Sequence, residues 1–278
     1  MSSYLTRNYH QPPVADPDLR ETRKVLRRIS LRTSSDLLDQ VIRLGKGSVA
    51  EDASAYGFSE PERAALHYLL WSRKGADCEI ESYTKSFAKW HRNPASNSDL
   101  IEVAQWRTRV RHFPVTPLVI RGDVSLHLHA AFGLAEIKAA FGIADLNSSG
   151  PTGTGVIHLE SQRTYLHLVT FRKEERDFAP TTRYKDYLIS RSRLHWESQA
   201  GATQVSKAGG NYIHFQERDY TILFFARLDK RIDGETAPFL FLGPAARLCS
   251  YEGDRPIFMI WDLAHPVPAE MFEAARFV

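Results

Sequence analysis

The chain has 278 residues, of which 43% are hydrophobic, 11% aromatic and 25% charged, with a formal net charge of +3. This composition supports a sizeable core, excludes wholesale disorder and suits one large domain or two ordinary ones. Two cysteines, Cys78 and Cys249, are too few for a disulfide framework or a four-thiolate zinc site. With no membrane-length apolar run and no signal-peptide core, they point to a soluble cytoplasmic protein.

Residues 1–17, with Pro12, Pro13 and Pro17, read as a loose lead-in. In "DPDLRETRKVLRRISLR", Leu19, Val25, Leu26 and Ile29 recur near helical spacing, and "TSSDLLDQVIRLG" opens on Ser/Thr caps and is expected to end at Gly45. "SEPERAALHYLLWSR" carries Ser59 as N-cap, Glu62 in capping-box position and Pro61 in the first turn. "ESYTKSFAKWHR" and "SDLIEVAQWRTRVRHF" predict two more helices. Residues 18–118 are therefore expected to form a helical domain, with Tyr68, Trp71, Phe87, Trp90 and Trp106 in its core.

Pro114, Pro117 and Gly122 break the pattern in "FPVTPLVIRGDVSLHL", which reads as a linker. One further helix, "GLAEIKAAFGI", precedes a change of character. "GTGVIHLE", "TYLHLVTF", "NYIHF", "YTILFFARL", "FLFLGPAARLCSY" and "PIFMIWDL" are short, β-branched or aromatic, and separated by turn residues. They predict an antiparallel sheet closing into a small β-barrel over residues 119–278, and an α+β class for the whole chain.

"GKGS" at 45–48 lacks the first glycine of a phosphate loop, and HExxH, Cys-x2-Cys and Gly-x-Ser-x-Gly do not occur. His127 and His129 share a face of an extended segment without an evident third ligand, and Glu174, Glu175 and Asp177 sit among basic residues as in a solvated turn. No cofactor, no metal site and no catalytic residue are expected.

What remains is binding chemistry. "TTRYKDYLISRSRLHWESQAG", residues 181–201, crowds planar and cationic groups together, and from Thr181 to Arg231 nine Lys/Arg face five Asp/Glu, a local basic field suited to a polyanion. Arg183, Lys185, Arg191, Arg193 and Lys207 are candidate phosphate contacts. Tyr184, Tyr187, His195, Trp196 and Tyr212 offer flat faces, and Ser198, Gln199 and Asn211 offer hydrogen bonds to a base edge, as a pocket for an extruded base requires. The plainer reading of the same stretch is aromatic β-core with a solvated basic face.

"FAPTTRYKDYLISRSRLHWESQ", "GGNYIHF", "LFFAR", "FLFLGPA" and "RPIFMIWDLAHPVPA" together resemble a C-terminal domain of unknown function of bacterial superfamily 2 helicases, over about Val124 to Ala269. Some of those proteins carry a phospholipase-D-type nuclease and act as modification-dependent (type IV) restriction enzymes. Residues 18–118 look like the helical segment between helicase core and that domain. The resemblance implies an SRA/PUA-like target-recognition domain that binds double-stranded DNA and flips a methylated or hydroxymethylated cytosine, with catalysis on a helicase or nuclease domain or partner. Helicase and nuclease motifs are missing from this chain. Two other readings stay open: a metal-dependent nuclease or DNA-processing enzyme using Asp177, Asp186 and Glu197, and a protein-interaction domain that docks a helicase.

Overall fold

The computed structural model describes residues 16–47, 56–110, 114–121, 124–151, 155–173 and 185–276. The chain is α+β: helices dominate its first part and one large mixed sheet its second. Among the described residues no helix is long and apolar enough to cross a membrane.

The helical part comprises α1 (Asp16–Ser30), α2 (Ser35–Lys46), α3 (Glu60–Trp71), α4 (Tyr83–His91) and α5 (Pro94–Arg109). Ser59 and Glu62 form the expected capping box, the Ser59 amide donating to the Glu62 carboxylate at 2.6 Å. Val25, Ile29, Leu38, Leu66, Phe87 and Trp90 meet in its core. Two expectations change. Gly45 lies inside α2, where α5 comes so close that a Cβ would stand 2.7 Å from Ile101, so its role is close approach and not termination. Trp106 is 42% exposed instead of buried, because it lies off the face of α5 that turns Leu100 and Ala104 inward.

The stretch read as a linker contains a hairpin, β1 (Thr116–Val119) with β2 (Ser125–Leu128), followed by β3 (Ala131–Phe132) and α6 (Leu134–Ala140). The main sheet then takes β4 (Val156–Leu159), β5 (Thr164–Thr170), β6 (Tyr187–Ser190), β7 (Arg193–Glu197), β8 (Thr221–Arg227), β11 (Phe239–Glu252) and β12 (Phe258–Leu263), in the order β4-β5-β8-β11-β12-β7-β6, with β3 beside β11. A separate two-stranded ribbon is made by β9 (Arg231–Ile232) and β10 (Glu235–Thr236), and α8 (Ala269–Ala275) closes the described chain.

Three features depart from the expected barrel. Among the described pairs of strands one is parallel, β5 with β8, because the chain between them makes a long crossover through β6, β7 and α7 (Lys207–Ile213). No described ladder joins β4 to β6, so among the described residues the sheet does not close. "NYIHF", expected as a strand, instead supplies the last turn of α7 with Asn211–Ile213 and the turn that follows it. Ser206 caps that helix by accepting from the Gly209 amide at 3.1 Å, and Gly209 lets the helix pass so near Thr203 that a Cβ would meet its carbonyl oxygen at 2.0 Å.

The sheet curls at β11. Residues 240–244 of that strand pair with β8 and residues 245–252 with β12; Gly243, at φ +94°, lies in the first half, and each half carries register shifts. The concave face buries Tyr165, Trp196, Tyr212, Phe224, Met259 and Trp261, while the opposite face of β5 and β8 buries Leu166, Leu223 and Phe225 against the hairpin and α6. The helical part is pinned to this assembly by a buried ion pair, Arg32 Nε to both Glu136 oxygens at 2.8 Å, and by the Ala131 amide donating to Thr33 Oγ1 at 2.7 Å.

Candidate nucleic-acid interface

The aromatic, basic stretch of residues 185–201 divides between the two faces of the sheet. On β7, alternation sends Leu194 and Trp196 into the concave core and Arg193, His195 and Glu197 to the convex side. Pairing with β12 sets His195 beside Ile260, Arg193 beside Asp262 and Glu197 beside Phe258, and pairing with β6 sets Tyr187 on the other side of His195. The Tyr187 ring, 43% exposed, stacks on His195 with centroids 4.6 Å apart and planes at 13°. His195 Nδ1 donates to the Lys185 carbonyl at 2.8 Å, which fixes the ring and leaves Nε2 as its acceptor.

Beside this stack, Asp262 takes Arg193 Nε at 2.8 Å and Arg247 Nε at 2.7 Å. Two guanidinium groups on one carboxylate hold Asp262 well below the usual carboxylate range and leave the row cationic. Each arginine retains terminal nitrogens for an anion. Arg191, exposed on the turn before β7, donates its Nε to the Val267 carbonyl at 2.7 Å, and Lys185 is exposed at the start of β6. A planar pair flanked by cations thus lies open on the convex face.

The other candidates are elsewhere. Trp196 is 4% exposed and lies over His167, ring centroids 4.2 Å apart; Tyr212 is 3% exposed. Ser198 is fully buried and its Oγ accepts the Ile257 amide at 2.9 Å. Asn211 donates to the Tyr165 hydroxyl and accepts from Arg218, both at 2.9 Å. Gln199 is half-buried near Gly155, and Lys207 pairs with Glu160 at 2.7 Å, next to the opposite edge strand β4. Arg183 and Tyr184 lie outside the described residues, as do Glu174, Glu175 and Asp177. The chain does not gather Trp196, Ser198, Asn211 and Tyr212 with Tyr187 and His195. Arg247, Phe258, Ile260 and Asp262 also stand on the convex face, and the alternation of "PIFMIWDL" is the sequence signal for three of them.

Asp186 is buried in an ion pair with Lys173 at 2.6 Å and accepts the Glu197 amide at 3.0 Å; burial pushes its carboxyl up against the pull of that lysine. Its partners are thus structural ones, and among the described residues no group of three His, Cys, Asp or Glu is placed to hold a metal ion.

His167, behind Trp196, is fully buried with no hydrogen-bond partner on either ring nitrogen among the described residues, while His67 in the helical core is held between Ser86 Oγ and the Arg73 carbonyl. Burial lowers His167 to about 3 and His67 to about 4. Both stand below the unfolded value of about 6.5, so the unfolded chain takes up these protons first as pH falls. The stability they contribute is full above that value and is lost as pH falls through the window below it, by up to about 1.4 kcal/mol per pH unit for each. Urea midpoints at neutral and mildly acid pH check this. His167→Leu is expected to remove one histidine's share of the slope, and an unchanged slope would locate the acid sensitivity elsewhere.

Residues 126–275, more than half of the chain, match the family model described as a domain of unknown function (DUF3427). The chain belongs to that family. No curated protein matches it.

Proposed function

We propose that this member of the DUF3427 family is a DNA-recognition module that reads a modified cytosine by base flipping, in company with a helicase or nuclease that supplies the catalysis. The observation that carries this reading is the open Tyr187–His195 stack beside Arg193 and Arg247, with Lys185 and Arg191 at its margin. A flat aromatic face accepts any base, and arginines around it neutralise phosphates. The curl of the sheet round one aromatic core is in keeping with an SRA/PUA-like barrel, and the choice of a modified cytosine follows the resemblance of the "RYKDYLISRSRLHWESQ" stretch. Ile189, 42% exposed beside Tyr187 on the edge strand, favours a second reading, a protein partner docked on the same edge.

The test is binding of matched unmodified, 5-methylcytosine and 5-hydroxymethylcytosine duplexes to the full chain at fixed salt. Tyr187→Ala is expected to weaken the preferred duplex by about 1–3 kcal/mol, the worth of one base stack, and to leave thermal melting nearly unchanged. Replacing Arg191 and Arg193 together with alanine should weaken all duplexes alike and flatten the slope of log K against log salt by about 2. Binding that ignores salt would refute the DNA reading and favour the protein partner, and a Tyr187→Ala variant that binds like wild type would remove the base from the Tyr187–His195 stack.

A further inference from the structure

The second half of β11 has β12 on one side, from Ala245 to Glu252. On the other side β8 reaches only as far as Pro244, and beyond it no described strand pairs with β11. Residues 249–255 are exposed. Along this open edge runs a groove of about 370 Å³ between the end of α7 and the strand, lined by Ile213, Phe215, Glu217, Leu248, Ser250 and Tyr251. An unpaired strand edge of this length is a template for another strand.

We propose that this edge seats a second copy of the chain, strand to strand and antiparallel, with Arg247 opposite Glu252, Leu248 opposite Tyr251 and Cys249 opposite Ser250. The register follows from which face each side chain occupies, because residues directly opposite in an antiparallel pair share a face. Arg247, Ser250 and Glu252 lie across from Asp262, Ile260 and Phe258 and so face the convex side. Leu248 and Tyr251 lie across from the buried Trp261 and Met259 and face the concave side. Cys249 is the extra residue of a bulge between them. In the proposed register convex meets convex and concave meets concave, and a slip of one residue in either direction sets Leu248 against a convex residue.

The occupant is a copy of this chain because the edge complements itself. A twofold axis between Cys249 and Ser250 makes the Arg247–Glu252 pair twice and the Leu248–Tyr251 pair twice, the self-complementarity that a closed dimer needs. Arg247 spends its Nε on Asp262 and has two terminal nitrogens, so that one can meet Glu252 of the other copy while the other stays open on the convex face. The groove gives the concave-side Leu248 and Tyr251 of the second strand a place near Phe215.

The experiment is sedimentation of the full chain without DNA, so its outcome is independent of the DNA reading. A concentration-dependent dimer is expected. Glu252→Arg, which sets arginine against arginine, should weaken it about tenfold or more, and adding Arg247→Glu should restore most of the loss. Independently, Ser250→Cys in a Cys78→Ser background should cross-link between Cys249 and the new thiol on oxidation with copper phenanthroline, far faster than Cys78→Ser alone. Opposite Cα atoms lie about 4.5–5.5 Å apart, within disulfide reach. A monomer at every concentration, or cross-linking of Cys249 to itself as fast as through Ser250→Cys, would overturn the proposal.

Discussion

Trp196→Ala is expected to lower the stability of the folded chain by about 3–5 kcal/mol, the range for truncating a buried large side chain. The indole is 4% exposed; it covers His167 at 4.2 Å and meets Tyr212 edge-on at 5.5 Å, within the core that the curled sheet closes on Trp261 and Phe224. Truncation leaves a void between two sheet halves and α7, and neither sheet half can collapse inward without losing its ladder. At a temperature where the variant is still folded, it should bind modified duplex as wild type does. Tyr187→Ala should show the reverse pattern, normal melting with weakened binding. The two variants together decide where a base is held. A Trp196→Ala protein that melts normally and loses modified duplex selectively would put the base inside the curl instead of on the convex face.

Glu136→Ala is expected to cost a similar amount, about 3–5 kcal/mol, because it leaves a buried guanidinium without its carboxylate. Arg32 and Glu136 have side chains only 7% and 4% exposed, and the pair joins the segment between α1 and α2 to the first turn of α6. Glu136 also accepts the Gly133 amide at 2.7 Å, so the loss of that cap adds to the effect. The double variant Arg32→Met/Glu136→Leu should recover most of the loss, since replacing both charges by apolar groups of similar volume removes the unpaired one. Urea unfolding read by fluorescence and by helical circular dichroism checks this. Coincident transitions that shift together are expected, and a Glu136→Ala protein as stable as wild type would mean that the charge is not buried in solution.

Much of the helical part was legible locally. Ser59 and Glu62 specify a helix start through groups three residues apart, and the apolar spacing of Val25 and Ile29 and of Leu38, Val41 and Leu44 states which side turns inward. Gly45 shows the limit: glycine after a helical pattern is the usual stop signal, but here the approach of α5, some fifty residues on, keeps the helix going to Lys46.

The same limit governs the sheet and the candidate site. Alternation in "RLHWE" is visible in the sequence, and with it the fact that Trp196 and His195 must face opposite ways. Which of them is buried is not a local property, because both sides carry aromatic and charged groups of similar weight. It is decided by β12, whose Met259 and Trp261 complete the concave core on the Trp196 side. The parallel pairing of β5 with β8 and the curl at Gly243 are likewise settled by contacts between distant segments, whereas α7 at "NYIHF" starts from the local Ser206 cap. The α+β class, the caps and the two-sided pattern of the aromatic, basic stretch are written locally, since each rests on neighbours within a few residues. Which side became core and which became an open aromatic face is set by long-range packing, because burial depends on what the rest of the chain brings to each side.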